Sequence, residues 1–474
     1  MNSTTVPARP DGAETSGQRI QRRLIGAATA GMVIGCVAVG FVSDGPTAWG
    51  LLPIVLYTLL CLWGVNILLA TVAALLSAFA ILQPSPLDAA TVLTDGLADN
   101  VTAIGLISVL GAGLGEVLRT TGVASLLVRG VMRVMGEKSG IAVIIGMMAA
   151  SLITVAMLGT VGGSLAIIAP ILIPIAARMG ITRATIAVIF LYAGCAGLAL
   201  GPFAGSNIAI MEAAEVSYGQ YLLHGAIPLA LLSVTVGYFI ILWVQKRSFA
   251  DQDFYSEAET VGDEPPPAVR SRFATGVFVA GLVAFIAYAM MNEASTALPL
   301  LALPSIALLT ALAAGQSLTA TVTHFCRGAG AYVHLFLLFW MLATMFALID
   351  RIDPFTPIFD AFGGQLSATS PFAFSVLVGL VGLIGVPGAS AAVVVLVDQV
   401  FGDAAAATGI SPAAWIVVLL FASKGDTYGP FPNPNMVTCM GMARYDRLRF
   451  MLLSGWMLLI PAALMYTAIL FFIT

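Results

Sequence analysis

The sequence predicts an all-α polytopic membrane protein, with about 11 transmembrane helices plus two re-entrant hairpins, built as an inverted repeat with two broken helices. Three observations predict it. Hydrophobic residues make up 59% of the chain and charged residues 9%, where a soluble domain carries about 25% charged. One pattern of glycine, proline and small polar residues occurs twice within apolar sequence. The basic residues fall almost entirely on one side of the topology that this pattern defines.

The first copy of the pattern reads Gly159-Thr-Val-Gly162-Gly163-Ser164, Gly180-Ile181, Gly201-Pro202-Phe203 and Asn207. The second reads Gly385-Val-Pro-Gly388-Ala389-Ser390, Gly409-Ile410, Gly429-Pro430-Phe431 and Asn435. Backbone freed by such breaks inside a membrane must be buried in protein or line a watery cavity. Paired interruptions at corresponding places in two halves point to a transporter binding site.

A span needs about 20 apolar residues. Spans are expected near 24–42, 50–65, 66–82, 101–118, 183–215 (broken), 223–245, 273–291, 298–315, 331–349, 411–443 (broken) and 449–472. The uncharged run 50–82 is divided near Asn66. The stretches 140–178 and 371–402 carry the glycine motif at their midpoints, so they read as hairpins with half-span arms. Residues 120–138, with Arg129, Arg133 and Lys138 among apolar residues, read as an interfacial helix.

With the N-terminus inside, every Lys and Arg except Arg351 and Lys424 falls on the inner side, as the positive-inside rule requires. The first hairpin then enters from the inside and the second from the outside. The expected organisation is a cytoplasmic tail (1–23), a first half (24–245), a cytoplasmic linker (246–272) and a second half (273–474) that ends in the periplasm. The linker is acidic and proline-rich, a composition that stays solvated. The first apolar segment is too long for a signal-peptide core. Cys36, Cys61, Cys195, Cys326 and Cys439 are scattered and form no close pair or metal-ligand cluster.

These residues resemble known carriers. Gly96-Leu-Ala-Asp-Asn-Val-Thr-Ala-Ile-Gly105, Gly111-Ala-Gly-Leu-Gly115-Glu-Val-Leu and Thr121-Gly122-Val-Ala look like the gluconate permease family of proton symporters. That match covers roughly residues 90–180. The tip followed by Ala169-Pro170-Ile-Leu-Ile-Pro174-Ile-Ala is similar to the wider ion transporter superfamily, where divalent anion/sodium symporters carry a Ser-Asn-Thr tip. The breaks Gly201-Pro202 to Asn207 and Gly429-Pro430 to Asn435 look like that superfamily's Gly-Thr-Pro-Pro-Asn breaks. The tips here lack Ser-Asn-Thr, and the break from Lys424 to Asn435 departs from the gluconate permease sequence. The resemblance implies an elevator-type carrier that forms homodimers in a bacterial inner membrane, its substrate held between tips and breaks.

Lys424 is the only basic residue that this topology places within the membrane. A cation there costs about 2.5–3.5 kcal/mol on insertion scales and faces a partner or a cavity. It reads as neutralising a substrate carboxylate or standing in for a coupling cation, with Asp426 as the proton acceptor; a structural pair that fixes the broken helix, or a snorkelling lysine, is the bland alternative. Gly162, Gly163, Ser164, Gly388 and Ser390 allow backbone to approach an anion, and the half-helices that follow point positive ends at it. Ser164 and Ser390 also stand where helix N-caps belong. Ser206, Asn207, Thr427, Asn433 and Asn435 suit hydroxyls and carboxylates, or else satisfy frayed helix ends. Glu212 and Asp398 are further candidates for ion coupling, beside the reading that each marks the outer end of its helix. Glu215, three residues beyond Glu212, shares that description. His334, near the start of a span, reads as a packing residue.

The leading expectation is a secondary importer of a small organic anion (a sugar acid, hydroxy acid or dicarboxylate) coupled to H⁺ or Na⁺. A cation/proton antiporter of the same superfamily is the alternative. The chain shows no His-Glu-x-x-His, no Gly-x-Ser-x-Gly elbow and no P-loop, so neither an enzyme nor an ATP-driven pump is supported. No cofactor, metal or nucleic acid is expected; the partners are the anion, the lipid and a second copy of the chain.

Overall fold

The computed structural model describes residues 16–42, 45–63, 65–135, 139–256, 269–291, 298–354, 357, 370–383, 390–423, 425–428 and 433–474. Every regular element among them is helical. Nine of the described helices are long and apolar enough to cross a membrane. The chain divides into two compact units, residues 1–93 with 344–360 and residues 94–343 with 361–474.

The first unit holds α1 (Ser16–Val42), α2 (Leu52–Leu62), α3 (Ile67–Leu82) and most of α4 (Pro86–Asp95). α1 starts at Ser16, so part of the expected tail is helical. The division near Asn66 is found: its Oδ1 accepts from the Leu68 and Leu69 amides at 2.9 and 3.4 Å and caps α3. α2 has 11 residues, a rise of about 17 Å against a core of about 30 Å. The expected span at 50–65 is therefore shorter than a full crossing. Cys36 and Ile81 pack with Ile352 in this unit's core.

The second unit begins with α5 (Asn100–Thr120), capped by Asp99 through the Val101 amide at 2.7 Å. α6 (Val123–Met135) occupies the stretch read as interfacial. α7 (Gly140–Leu158) and α8 (Val161–Arg178) form the first hairpin, turning at Gly159 and Thr160. Their 19 and 18 residues rise about 28 and 27 Å. Each arm is thus nearly a full span long, not the expected half. α9 (Arg183–Leu200) and α10 (Gly205–Ala213) are the first broken helix, parted at Pro202 as expected. α11 (Tyr218–Tyr221) passes through a π-turn into α12 (Ile227–Ser248).

Two glycines fix this half. The α7 and α9 backbones touch at Gly197, where any Cβ would fall on the Leu152 carbonyl. Gly159 ends α7 at φ +67°, and a Cβ there would lie 3.0 Å from the Phe203 carbonyl. The hairpin tip therefore rests directly on the break.

α13 (Val269–Met291) and α14 (Leu298–Ala313) follow. α15 (Leu318–Gly330), which the sequence reading omitted, is capped by Ser317 and packs on α5. α16 (Val333–Ile352) begins after a turn at Ala331 and Tyr332. The second hairpin comprises α17 (Pro371–Leu383) and α18 (Ser390–Ala407); its tip, with Gly388, lies outside the described residues. The second broken helix is α19 (Pro412–Ser423), α20 (Gly425–Tyr428) and α21 (Pro434–Met442), followed by α22 (Leu448–Ile473). Ties between halves are polar and buried: Tyr192 donates to the Ser454 carbonyl at 2.6 Å, and the Tyr428 and Ser233 hydroxyls meet at 2.8 Å.

The start of the linker is largely exposed and is held to the helices at Tyr255 and Arg183. Tyr255 is buried and donates to the Ala443 carbonyl at 2.9 Å, and Arg183 lies over its ring at 4.8 Å. Asp253 pairs with Arg183 at 3.4 Å. Phe249 and Phe254 stack edge to face at 5.1 Å; these aromatics, set among the acids, give the segment the apolar surface that its overall composition denies.

Candidate functional site

A cavity of about 490 Å³ opens inside the second unit, where both copies of the repeated pattern meet. Thr160 and Gly162 come from the first tip, Gly205 and Ser206 from the first break, Ser390 from the second hairpin, and Pro434 and Asn435 from the second break. The volume is in the range of small-molecule sites. Each of these residues lies at or beside the N-terminus of a helix: α8, α10, α18 and α21. Such ends carry unpaired amides and the positive pole of the helix dipole, about +0.5 charge each. Four of them facing one cavity make it a place for negative charge.

The rest of the described lining is polar and aromatic. Tyr332, His334 and Phe339 come from the start of α16 and the turn before it, Ser108 from α5, and Thr438 from α21. Among the described residues the lining contains no Asp, Glu, Lys or Arg. The Tyr332 hydroxyl hydrogen-bonds the Thr160 side chain and the Gly163 backbone, which ties the turn before α16 to the first tip. A side chain at Gly163 would meet Thr160 Oγ1 at 2.9 Å.

The expected site residues divide into two groups. Gly162, Ser206, Ser390 and Asn435 line the cavity. Ser164 does not occupy the N-cap of α8, as the sequence suggested; Thr160 stands there. Ser164 is fully buried one turn in, and its hydroxyl donates to the Thr160 carbonyl at 2.6 Å. Asn207 is buried and turned into the break: its Nδ2 donates to the Leu198, Ala199 and Gly201 carbonyls at 2.8, 3.0 and 2.7 Å. The Tyr218 and Tyr221 hydroxyls take the Leu200 and Ala199 carbonyls at 2.6 and 2.8 Å. Asn433 caps α21 through the Met436 amide at 2.8 Å, and among the described residues its Nδ2 finds no acceptor. Thr427 is buried in α20, away from the lining. Lys424 lies outside the described residues, and only the backbone of Asp426 is described.

The acidic candidates stand apart from the cavity. Glu212 accepts a short hydrogen bond from Asn100 Nδ2 and lines a larger cavity of about 630 Å³, bordered by Phe285 and Pro299. Asp398 accepts from Trp415 Nε1 at 2.8 Å, eight residues or about 12 Å along α18 from Ser390. Thr160, Tyr332 and Thr438 were missed by the sequence reading. Thr160 sits inside the quoted tip motif, so its signal was present; Tyr332 and Thr438 are placed only by tertiary packing.

Comparison with known proteins places this geometry in context. A family model described as citrate transporter matches residues 57–304, just over half of the chain. The crystal structure of the Alcanivorax borkumensis YdaH transporter, described as having an unusual topology, is similar over 80% of this chain and 86% of that one, with a TM-score of 0.55 and 17% identity. At that identity the likeness is one of fold. No curated protein matches.

Proposed function

The chain belongs to the citrate transporter family, and from that premise we propose that it is a proton-coupled symporter of a small polycarboxylate of the citrate class. The observation that carries this reading is the convergence of four helix N-termini on one cavity. Together they offer a positive potential of roughly two charges, comparable with the charge of a di- or tricarboxylate. Hydroxyls and the Asn435 amide around them suit carboxylate oxygens. Lys424 adds a full charge beside the second break in this reading, with Asp426 as its proton-accepting partner.

Proton coupling is supported by the first break. Its freed carbonyls, Leu198, Ala199, Leu200 and Gly201, already accept from Asn207, Tyr218 and Tyr221. A Na⁺ ion bound there would have to displace those donors. The reading extends to elevator-type alternating access between inverted halves, in a homodimer of the bacterial inner membrane with the N-terminus inside. The distribution of Lys and Arg supports that orientation.

The test is uptake and charge movement in liposomes containing the purified chain, with a panel of organic anions and imposed proton or sodium gradients. Uptake of citrate or a close analogue, driven by a proton gradient and lost in Lys424→Ala without loss of folded protein, is expected. Silence across the panel together with cation-driven proton flux would overturn the symporter in favour of an antiporter. Uptake in Lys424→Ala at unchanged affinity would remove Lys424 from the site.

A further inference from the structure

We propose that His334 is the proton-binding group of the anion cavity, taking up a proton as the anion binds and losing it on release. This rests on the symporter reading above and names the residue through which the cavity couples the two ions.

The cavity has two titratable side chains among its described lining residues, Tyr332 and His334. Tyr332 is engaged with Thr160 and the Gly163 backbone. That leaves the imidazole, the side chain whose charge changes between pH 5 and 8. His334 stands in the first turn of α16, exposed to the cavity, with its ring 6.1 Å from that of Tyr332.

The surroundings make the charge of His334 depend on whether the cavity is full. The empty cavity presents the positive ends of α8, α10, α18 and α21, which repel a cation. A bound polycarboxylate reverses the sign of the local field and attracts one. Anion binding and protonation of the ring are therefore linked, and each strengthens the other by the same factor. The step is a simple one: a ring nitrogen lone pair accepts H⁺ from water on binding and returns it on release. In the reading above Lys424 and Asp426 stand beside the second break and act on the same anion, and His324 and Arg327 stand on α15, ten and seven residues before His334. On α5, which packs on α16 at Gly105, Glu116 and Arg119 pair with each other at 2.7 Å, about three turns beyond that contact. Glu212 and Asp398 are held by Asn100 and Trp415 at the far ends of α10 and α18.

The experiment is calorimetric titration of the purified full chain with citrate, in two buffers of different ionisation enthalpy, between pH 6 and 8. The buffer dependence of the heat counts the protons taken up. The wild type should take up close to one more proton per citrate than His334→Gln near neutral pH. It should bind citrate about tenfold more tightly than the variant at pH 6, and the gap should narrow as the pH rises. Citrate's own titration is common to both proteins and cancels in the comparison. His334→Arg, with a fixed charge, should bind tightly across the range without the extra proton, and it reads the same question if the glutamine variant fails to fold. Citrate binding with the same proton count in the variants as in the wild type would overturn the role of His334. Absence of citrate binding to the wild type would instead overturn the proposed substrate class.

Discussion

Asn207 and Asn435 hold corresponding positions in the repeated pattern, and their side chains do different things; replacing each with alanine separates the two roles. Asn207→Ala removes an amide that donates to three carbonyls at 2.7–3.0 Å in a buried break. Two N–H groups serve those three acceptors. A typical hydrogen bond contributes about 1 kcal/mol net, and a buried acceptor left without a partner costs about 1–3 kcal/mol. Ala199 keeps its bond from Tyr221, Leu198 keeps one from the Gly201 amide and Gly201 keeps one from the Ala204 amide, so no acceptor is left without a partner and the loss is that of two hydrogen bonds, about 2 kcal/mol. At about 1–2 °C per kcal/mol for a chain of this length, scaled from shorter ones, Tm should fall by about 2–4 °C. Asn435 lines the cavity, and among the described residues its side chain makes no hydrogen bond. Asn435→Ala should leave Tm within about 1 °C, the ordinary range for a substitution away from packing features, and weaken citrate binding about tenfold, the worth of one hydrogen bond to a charged group. Thermal melting in detergent and calorimetric Kd values read both arms. Equal loss of Tm in the two variants, or an unshifted Tm in Asn207→Ala, would refute the division.

Two further outcomes are expected. Gly159→Ala forces a left-handed φ on a residue with a side chain and brings its Cβ within 3.0 Å of the Phe203 backbone; a loss of folded protein on size-exclusion chromatography, at a cost of about 1–3 kcal/mol, should follow. Tyr332→Phe keeps the ring and removes the hydroxyl shared with Thr160 and the Gly163 backbone; citrate Kd should rise about three- to tenfold with little change in Tm, as calorimetry and melting would show.

The breaks at Pro202 and before Pro434, the tip at Gly159 and the division at Asn66 were legible because glycine, proline and asparagine act on local backbone, which sequence records directly. α15 was not. It is short and mixed in composition, and its site on α5 is made by Gly113 and Ala112, where Phe325 and Gly328 approach closely. The site was legible as a set of segments and less so as a set of contacts. The motif brought Gly162, Ser206, Ser390 and Asn435 to one cavity. It could not tell that Asn207 turns into its own break, or that Glu212 and Asp398 find partners in Asn100 and Trp415 from distant sequence. The family model is described as citrate transporter where the sequence motifs resembled gluconate permeases, and the described lining alone does not distinguish one carboxylate from another.

The bare contact between Gly197 and Leu152, together with the seat of Gly159 on Phe203, has a kinematic consequence. Helices that touch through side chains can slide, because rotamers absorb small shifts. α7 and α9 touch through backbone, where there is nothing to rearrange. α7 and α9 are thereby fixed against each other, and the tip at Gly159 is held on the break at Phe203. Under the proposed alternating access, a motion that opened the cavity past this tip would carry α7 and α9 together.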